Sequence, residues 1–306
     1  MDVQHVPVLL EETLGFLAPE RGGLFVDATL GLGGHAAALL ERAPEARILG
    51  LDRDQQALEL AARRLEAFGD RVRLAHAVFD QLEGVLAGLG IERVAGVLAD
   101  LGVSSMQLDV PERGFSFRHD GPLDMRMGIA DLTAADLVNR SSEEELEKIF
   151  REYGEERHAR RIARAIARAR AESPITTTGQ LKSLIDRIKG WSHQEKIDPA
   201  TRIFQALRIE VNQELTRLEA LIDQTVELLE PDGRLVIISY HSLEDRIVKN
   251  RLRAMAQGEV DPITGRTRSE TQLIEVLTRK PVRPSDEEIA FNPRSRSAKL
   301  RAAKRI

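Results

Sequence analysis

Phe25-Val-Asp-Ala-Thr-Leu-Gly-Leu-Gly-Gly-His35, followed by Ile48-Leu-Gly-Leu-Asp52, decides the fold. An apolar run ends in Asp27. A glycine-rich turn comes next, then a helical stretch over 34–42, then a second apolar run that closes on Asp52. The order reads strand, turn, helix, strand. In α/β folds the glycines of such a turn let the backbone approach a ligand, and an acidic residue about twenty positions on accepts hydrogen bonds from ribose hydroxyls. The glycines alone fit an ordinary tight turn as well. Asp27 before them and Asp52 after them point to an adenosine-bearing cofactor, with Gly33, Gly34, His35 and Asp52 as its contacts.

The turn departs from a full G-x-G-x-x-G. A pyrophosphate prefers that motif and a helix N-terminus without negative charge beside it. An acidic residue ahead of the glycines suits a cationic ligand, and S-adenosylmethionine carries both a sulfonium and an ammonium. His35 fits a ligand contact or simply the first turn of a helix. Phe79 lies beyond the third strand, where an aromatic can pack on an adenine face; a core phenylalanine at a strand end explains it equally.

Working outward, a helix is expected over 8–18 and strands over 24–28, 47–51, 72–75 and 94–100, with a helix at 54–68 capped by Asp54. This βαβαβ order predicts a parallel, doubly wound α/β sheet. The next strand is Arg234-Leu-Val-Ile-Ile-Ser-Tyr240. More than a hundred residues separate it from the fourth strand, whereas a crossover can be made in ~30, so the excess predicts an inserted helical domain. Helices are expected over 141–153, 156–171, 177–189 and 196–201, then one long helix over 201–229. The domains are therefore 1–107 with 204–306, and an inserted 108–203. A helix over 242–256, a polar turn-rich stretch over 258–269 and a strand over 272–277 follow, and the basic tail from Asn292 suits RNA or a loosely held terminus.

The chain has 306 residues, 42% of them hydrophobic, with a net charge of −5. That charge argues against indiscriminate coating of nucleic acid, so an RNA site must be local. There is no cysteine, which excludes disulfides and thiolate chemistry. No apolar run approaches the ~20 residues of a membrane span, and a cytoplasmic location is expected. The seven histidines are scattered, and no metal site is expected.

Further chemistry clusters at strand ends. Asp100 ends the fourth strand, where open α/β sheets place ligands; a loop-capping carboxylate is the alternative. Tyr240 could stack on a base and His241 could pass a proton; a helix capped by Ser242 fits the same residues. Arg113-Gly-Phe-Ser-Phe117 and Gly121-Pro-Leu-Asp-Met-Arg-Met127 could line a base pocket, although Met and Phe are more often core. Arg157, Arg160, Arg161, Arg164 and Arg168 share one helical face, which suits either a phosphate backbone or solvent with neighbouring acids.

Taken together, His5-Val-Pro-Val-Leu-Leu-Glu-Glu12, Asp27–His35, Asp52-Arg-Asp54, Asp100-Leu-Gly-Val-Ser-Ser-Met-Gln-Leu-Asp109, Arg113–Phe117, Gly121–Met127, Ser239-Tyr-His-Ser-Leu-Glu-Asp-Arg246 and Asn292-Pro-Arg-Ser-Arg-Ser-Ala-Lys-Leu-Arg301 resemble the RsmH (MraW) family over nearly the whole chain. The resemblance implies a Rossmann-like, class I S-adenosylmethionine-dependent methyltransferase. Its expected reaction is methylation of a cytidine N4 in the decoding region of 16S rRNA, near the P site, within the small ribosomal subunit. Cofactor contacts implied by position are Gly33, Gly34, His35, Asp52, Phe79, Asp100 and Gln107, the last from the resemblance only. Asp100, Tyr240 and His241 are the catalytic candidates. A nicotinamide-dependent oxidoreductase on the same fold and a non-catalytic rRNA-binding assembly factor are the alternatives. Oligomeric state, monomer or homodimer, is not legible.

Overall fold

The computed structural model describes residues 6–102, 110–128, 130–189, 198–258 and 271–306. Gln107 and most of the 258–269 stretch lie outside the described residues. Two compact units emerge, Met1–Gly102 with Leu215–Ile306, and Val103–Glu214.

The first unit is built on strands β1 (Gly23–Asp27), β2 (Ala46–Asp52), β3 (Val72–His76), β4 (Val94–Asp100), β5 (Leu229–Ser239), β6 (Ile274–Val276) and β7 (Lys299–Arg305). Their order in the sheet is β3-β2-β1-β4-β5-β7-β6. Strands β1 to β5 pair in parallel, whereas β7 runs antiparallel to both β5 and β6. One reversed strand thus sits inside an otherwise parallel sheet.

Side chains alternate between two cores, because successive residues of a strand point to opposite faces. Phe25, Ile48, Leu98, Val236, Ile238 and Leu300 fill one face, with residues of helices α1 (Leu10–Leu17), α2 (Gly34–Arg42) and α3 (Gln55–Leu65). Val26, Leu49, Val97, Leu235, Ile237 and Ala303 fill the other, below residues of α4 (Leu82–Gly88) and of two later helices. Burial on both faces is why these strands read as continuous apolar runs rather than alternating ones.

The second unit is helical, with α5 (Ala134–Arg140), α6 (Glu143–Glu152), α7 (Ala159–Glu172), α8 (Thr178–Lys189) and α9 (Pro199–Asn212). Capping boxes at Thr133 with Asp136 and at Ser142 with Glu145 start α5 and α6, satisfying amide donors that a helix start leaves open. Its core gathers Leu146, Phe150, Ile162, Ile166, Leu181, Ile185, Ile203 and Leu207. Buried Asn212 ties the preceding segment down: its Nδ2 donates to the Met125 carbonyl at 2.8 Å and its Oδ1 accepts from the Met127 amide at 2.9 Å.

Three sequence expectations need correction. The single helix over 201–229 is two, α9 and α10 (Glu214–Leu228), broken where Gln213 takes a left-handed φ of 51°. Phe204, Leu207 and Val211 belong to the helical core while Leu218, Leu221 and Ile222 belong to the sheet core, so the boundary falls near 214 rather than 204. A continuous three-to-four periodicity hid the break because each half needs an apolar stripe, whichever core it faces. The basic tail is not loose: it forms β7, with Arg301 almost fully buried and its Nε donating to Asp245 Oδ1 at 2.6 Å. Short α5 went unanticipated.

The remaining α-helices among the described residues are α11 (Ser242–Gln257) and α12 (Asp286–Phe291).

Candidate functional site

Strand register brings three carboxylates to one edge. Asp27 lies opposite Gly50 and Leu98, Asp52 opposite His76, and Asp100 opposite Ile238. Parallel strands deliver their last residues to the same side, and open α/β sheets bind ligands there.

The β1–α2 turn is fixed by its own peptide groups and by Asp52. Leu30 donates its amide to the Leu51 carbonyl at 2.9 Å, and Gly31 donates to Asp52 Oδ2 at 2.7 Å. The other carboxylate oxygen, Oδ1, accepts from the Asp54 amide at 2.9 Å. Asp52 therefore stitches two loops together, and burial raises its pKa. Gly33 takes a φ of +74° at the start of α2, the left-handed region that favours glycine. At Gly34 a Cβ would sit 2.7 Å from Pro7 Cγ, so packing of the N-terminal segment also demands a glycine there.

Asp27 is buried, and burial above all, with Asp100 and Asp52 nearby, pushes its pKa up to about 7, against the Thr29 amide that donates to it. His35 goes the other way. Burial lowers its pKa to about 4 although the Val8 carbonyl favours a proton. Its Nε2 lies 3.0 Å from that carbonyl. A carbonyl only accepts, so Nε2 carries the hydrogen and Nδ1 is bare. Nδ1 lies 3.9 Å from Asp100 Oδ2, but with the ring neutral at neutral pH this is no ion pair. It is a place where two acceptors converge.

Asp100 is held from two sides. Its amide donates to Thr29 Oγ1 at 2.6 Å, and its Oδ1 accepts the Tyr240 hydroxyl at 2.8 Å. Burial above all, with the neighbouring Asp100 carboxylate, keeps that phenol protonated, its pKa well above the usual value. A Cβ on Gly102, whose φ is +118°, would come within 3.1 Å of the Tyr240 ring. With its hydroxyl engaged and its ring against Gly102, Tyr240 braces Asp100 rather than projecting as a base platform.

His241 lies at the N-cap of α11, where Ser242 was expected; Glu244 closes the capping box, its Oε2 accepting from the Tyr240 amide at 2.8 Å and from the His241 amide at 3.2 Å. His241 Nδ1 faces the Glu244 amide at 3.4 Å and its Nε2 lies 3.1 Å from Glu244 Oε1. Both imidazole nitrogens thus point towards the start of their own helix. Thr29 was not singled out from sequence, since its hydroxyl carries no motif of its own; only its contact with the Asp100 amide on the neighbouring strand reveals it.

Phe79 follows β3 in a short 3₁₀ turn and is half-buried against the second sheet core. Phe115, Leu123, Met125 and Met127 are buried in the helical core, so these residues pack the insert, as their types alone would suggest. Arg157, Arg160, Arg161, Arg164 and Arg168 are all exposed.

The model of the MraW methylase family matches residues 2–306. The chain belongs to the MraW methylase family. A relative from Syntrophotalea carbinolica named ribosomal RNA small subunit methyltransferase H is 52% identical over 310 residues, covering 99% of this chain and 98% of that protein. A protein of the same name from Nitratidesulfovibrio vulgaris is 50% identical, covering 99% and 86%. Among solved structures, an rRNA methylase from Streptococcus thermophilus aligns over 96% of this chain and 95% of its own with a TM-score of 0.45 and 12% identity. Membership of the MraW methylase family displaces the nicotinamide oxidoreductase considered from sequence.

Proposed function

We propose that this protein transfers a methyl group from S-adenosylmethionine to the exocyclic N4 of a cytidine in the decoding region of 16S rRNA, at the P site. The observation that carries the reading is the acidic carboxyl edge, Asp27, Asp52 and Asp100 on three parallel strands, in a chain of a methylase family. An anionic edge suits a cationic donor and repels a pyrophosphate.

The residues fit that cofactor. Each Asp52 oxygen already accepts one backbone amide and retains a lone pair for a ribose hydroxyl. Among the described residues, a Cβ built on Gly31 meets only the Thr29 carbonyl, at 3.9 Å, leaving the turn approachable. Gly33, Gly34 and His35 would contribute backbone and imidazole contacts, Phe79 an apolar face for adenine, and Gln107 a polar contact. Bound there, S-adenosylmethionine supplies an electrophilic methyl on a sulfonium.

The chain's own part is orientation. The lone pair of a cytosine amine is delocalised into the ring, so the amine must be turned and held. Asp100, braced by Tyr240 and Thr29, is an acceptor fixed in place before any substrate arrives. Preorganised acceptors and positioning are the usual large terms in such transfers. His241 Nδ1 faces the Glu244 amide and its Nε2 is buried without a hydrogen-bond partner among the described residues, so water is the simpler acceptor of the final proton. The inserted unit would recognise RNA within the small subunit. No described helix is long and apolar enough to cross a membrane, in keeping with a cytoplasmic role.

Labelled-methyl transfer to small subunits and to naked 16S rRNA, followed by nucleoside mass spectrometry, tests the reading. N4-methylated cytidine is expected. RNA binding without any transfer would instead favour an assembly factor.

A further inference from the structure

We infer that the outer face of α7 is a contact surface for an RNA phosphate backbone, made by Arg160, Arg161, Arg164 and Arg168 with Arg157 just ahead of the helix. The inference rests on the functional reading above for the identity of the RNA.

Residues 157–171 hold six arginines and no acidic residue, in a chain of net charge −5. Arg160, Arg164 and Arg168 step by four, which spaces them ~6 Å apart along the axis, and Arg161 widens the face to an arc of about 100°. The sixth, Arg170, turns inward and donates to the Val138 carbonyl at 2.7 Å. Ile162, Ala163 and Ile166 on the opposite side are fully buried. The guanidiniums therefore stand on a helix whose rotation is locked by packing.

Nearby acids do not neutralise the face. Among the described residues, Arg164 alone of the five meets a carboxylate, Glu143 Oε1 at 3.3 Å. Glu156, the acid closest in sequence to Arg157, is buried and spent on Lys189 Nζ at 2.8 Å and on the His158 amide at 2.8 Å.

The placement also runs against helix stability. A helix N-terminus carries partial positive charge and prefers acids in its first turn. The first turn of α7 contains none, holds Arg160 and Arg161, and has no side-chain cap. By contrast, α6 beside it opens with three glutamates and a capping box. Cations placed where they destabilise the helix are accounted for by an anionic partner. Guanidinium forks suit phosphate oxygens in particular. The contact would carry no base preference, positioning the substrate rather than reading it.

The test compares the triple variant R160Q/R161Q/R168Q with a control, R47Q/R63Q/R73Q, that removes the same charge from exposed positions of the other unit. Binding of a 16S rRNA fragment is measured against salt concentration, and methyl transfer is measured alongside, with thermal midpoint and S-adenosylhomocysteine affinity as checks on folding. Each lost contact with single-stranded RNA should flatten the log–log salt dependence by ~0.7, about 2 for three. KM for RNA should rise about tenfold or more at physiological salt, with kcat at saturating RNA unchanged. The control should leave slope and KM as they were. An unaltered slope in the α7 variant, or an equal change in the control, overturns the inference. Absence of transfer by the unsubstituted protein would count against the functional reading instead, and the binding slopes would still decide this face.

Discussion

Replacing Asp27 with Asn should make the protein more stable above neutral pH. Burial holds the Asp27 carboxyl at a pKa of about 7 against an ordinary 3.8. In the unfolded chain the group ionises near its ordinary value, so between those two values the folded state holds the extra proton. Stability is then lost as pH rises from about 4 through about 7. One pH unit corresponds to ~1.4 kcal/mol, so the full displacement amounts to ~4 kcal/mol at pH 8. Asparagine keeps an oxygen for the Thr29 amide, which donates to Asp27 Oδ1 at 3.2 Å, and never ionises. His35 works in the opposite sense. With its pKa lowered to about 4, the unfolded state binds the extra proton between about 4 and 6.5, and stability rises with pH there. The two residues therefore offset each other in the unsubstituted protein, and only the difference between variant and parent isolates Asp27. Urea unfolding of the ligand-free protein at half-unit steps from pH 4.5 to 9 measures it. The difference in unfolding free energy should be small near pH 4.5 and climb to ~4 kcal/mol in favour of the variant by pH 8. A difference that stays flat across that range would refute the argument that burial lifts the Asp27 pKa to about 7 in the ligand-free protein.

The same variant should bind S-adenosylmethionine less tightly while losing less affinity for S-adenosylhomocysteine, which lacks the sulfonium charge; equal losses by calorimetry would remove Asp27 from charge recognition. Tyr240→Phe deletes the hydroxyl that donates to Asp100 Oδ1 at 2.8 Å, and should lower kcat about tenfold or more while costing only ~1 kcal/mol of stability. Single-turnover methyl transfer and thermal melts separate the two effects, and full activity would show that Asp100 needs no brace. Gly34→Ala would place a Cβ 2.7 Å from Pro7 Cγ, so the N-terminal segment must shift; a weakened cofactor affinity is expected by calorimetry, and an unchanged one would mean the segment yields freely. Asn212→Leu leaves the Met127 amide and Met125 carbonyl without their partner and should destabilise the helical unit by ~2–4 kcal/mol. Proteolysis within Val103–Glu214 reads that loss directly, and unchanged resistance would argue against it.

Much of the fold was legible because its signals are local. A strand buried on both faces must be apolar throughout, and a turn that needs a left-handed residue favours glycine, so β1, the Gly31–Gly34 turn, β2 and β4 declare themselves in order. Asp27, Asp52 and Asp100 stand out for the same reason, each being a charge at the end of an apolar run. Gln213 was illegible: a left-handed residue between two apolar-periodic halves leaves no mark when both halves bury a stripe. So was β7, whose Lys and Arg side chains mimic a solvated tail; Arg301 becomes tolerable inside the sheet only once Asp245 is brought beside it from another element.

What the sequence determined by itself is therefore the chain of elements and the kind of ligand they favour, since periodicity, turn chemistry and the charge at strand ends are properties of neighbouring residues. How those charges behave is set by the folded packing. Burial keeps Asp27 poised near neutrality and His35 neutral, and the Tyr240 hydroxyl and Thr29 fix Asp100. Desolvation and hydrogen bonding depend on what lies across the sheet, and no spacing along the chain encodes that.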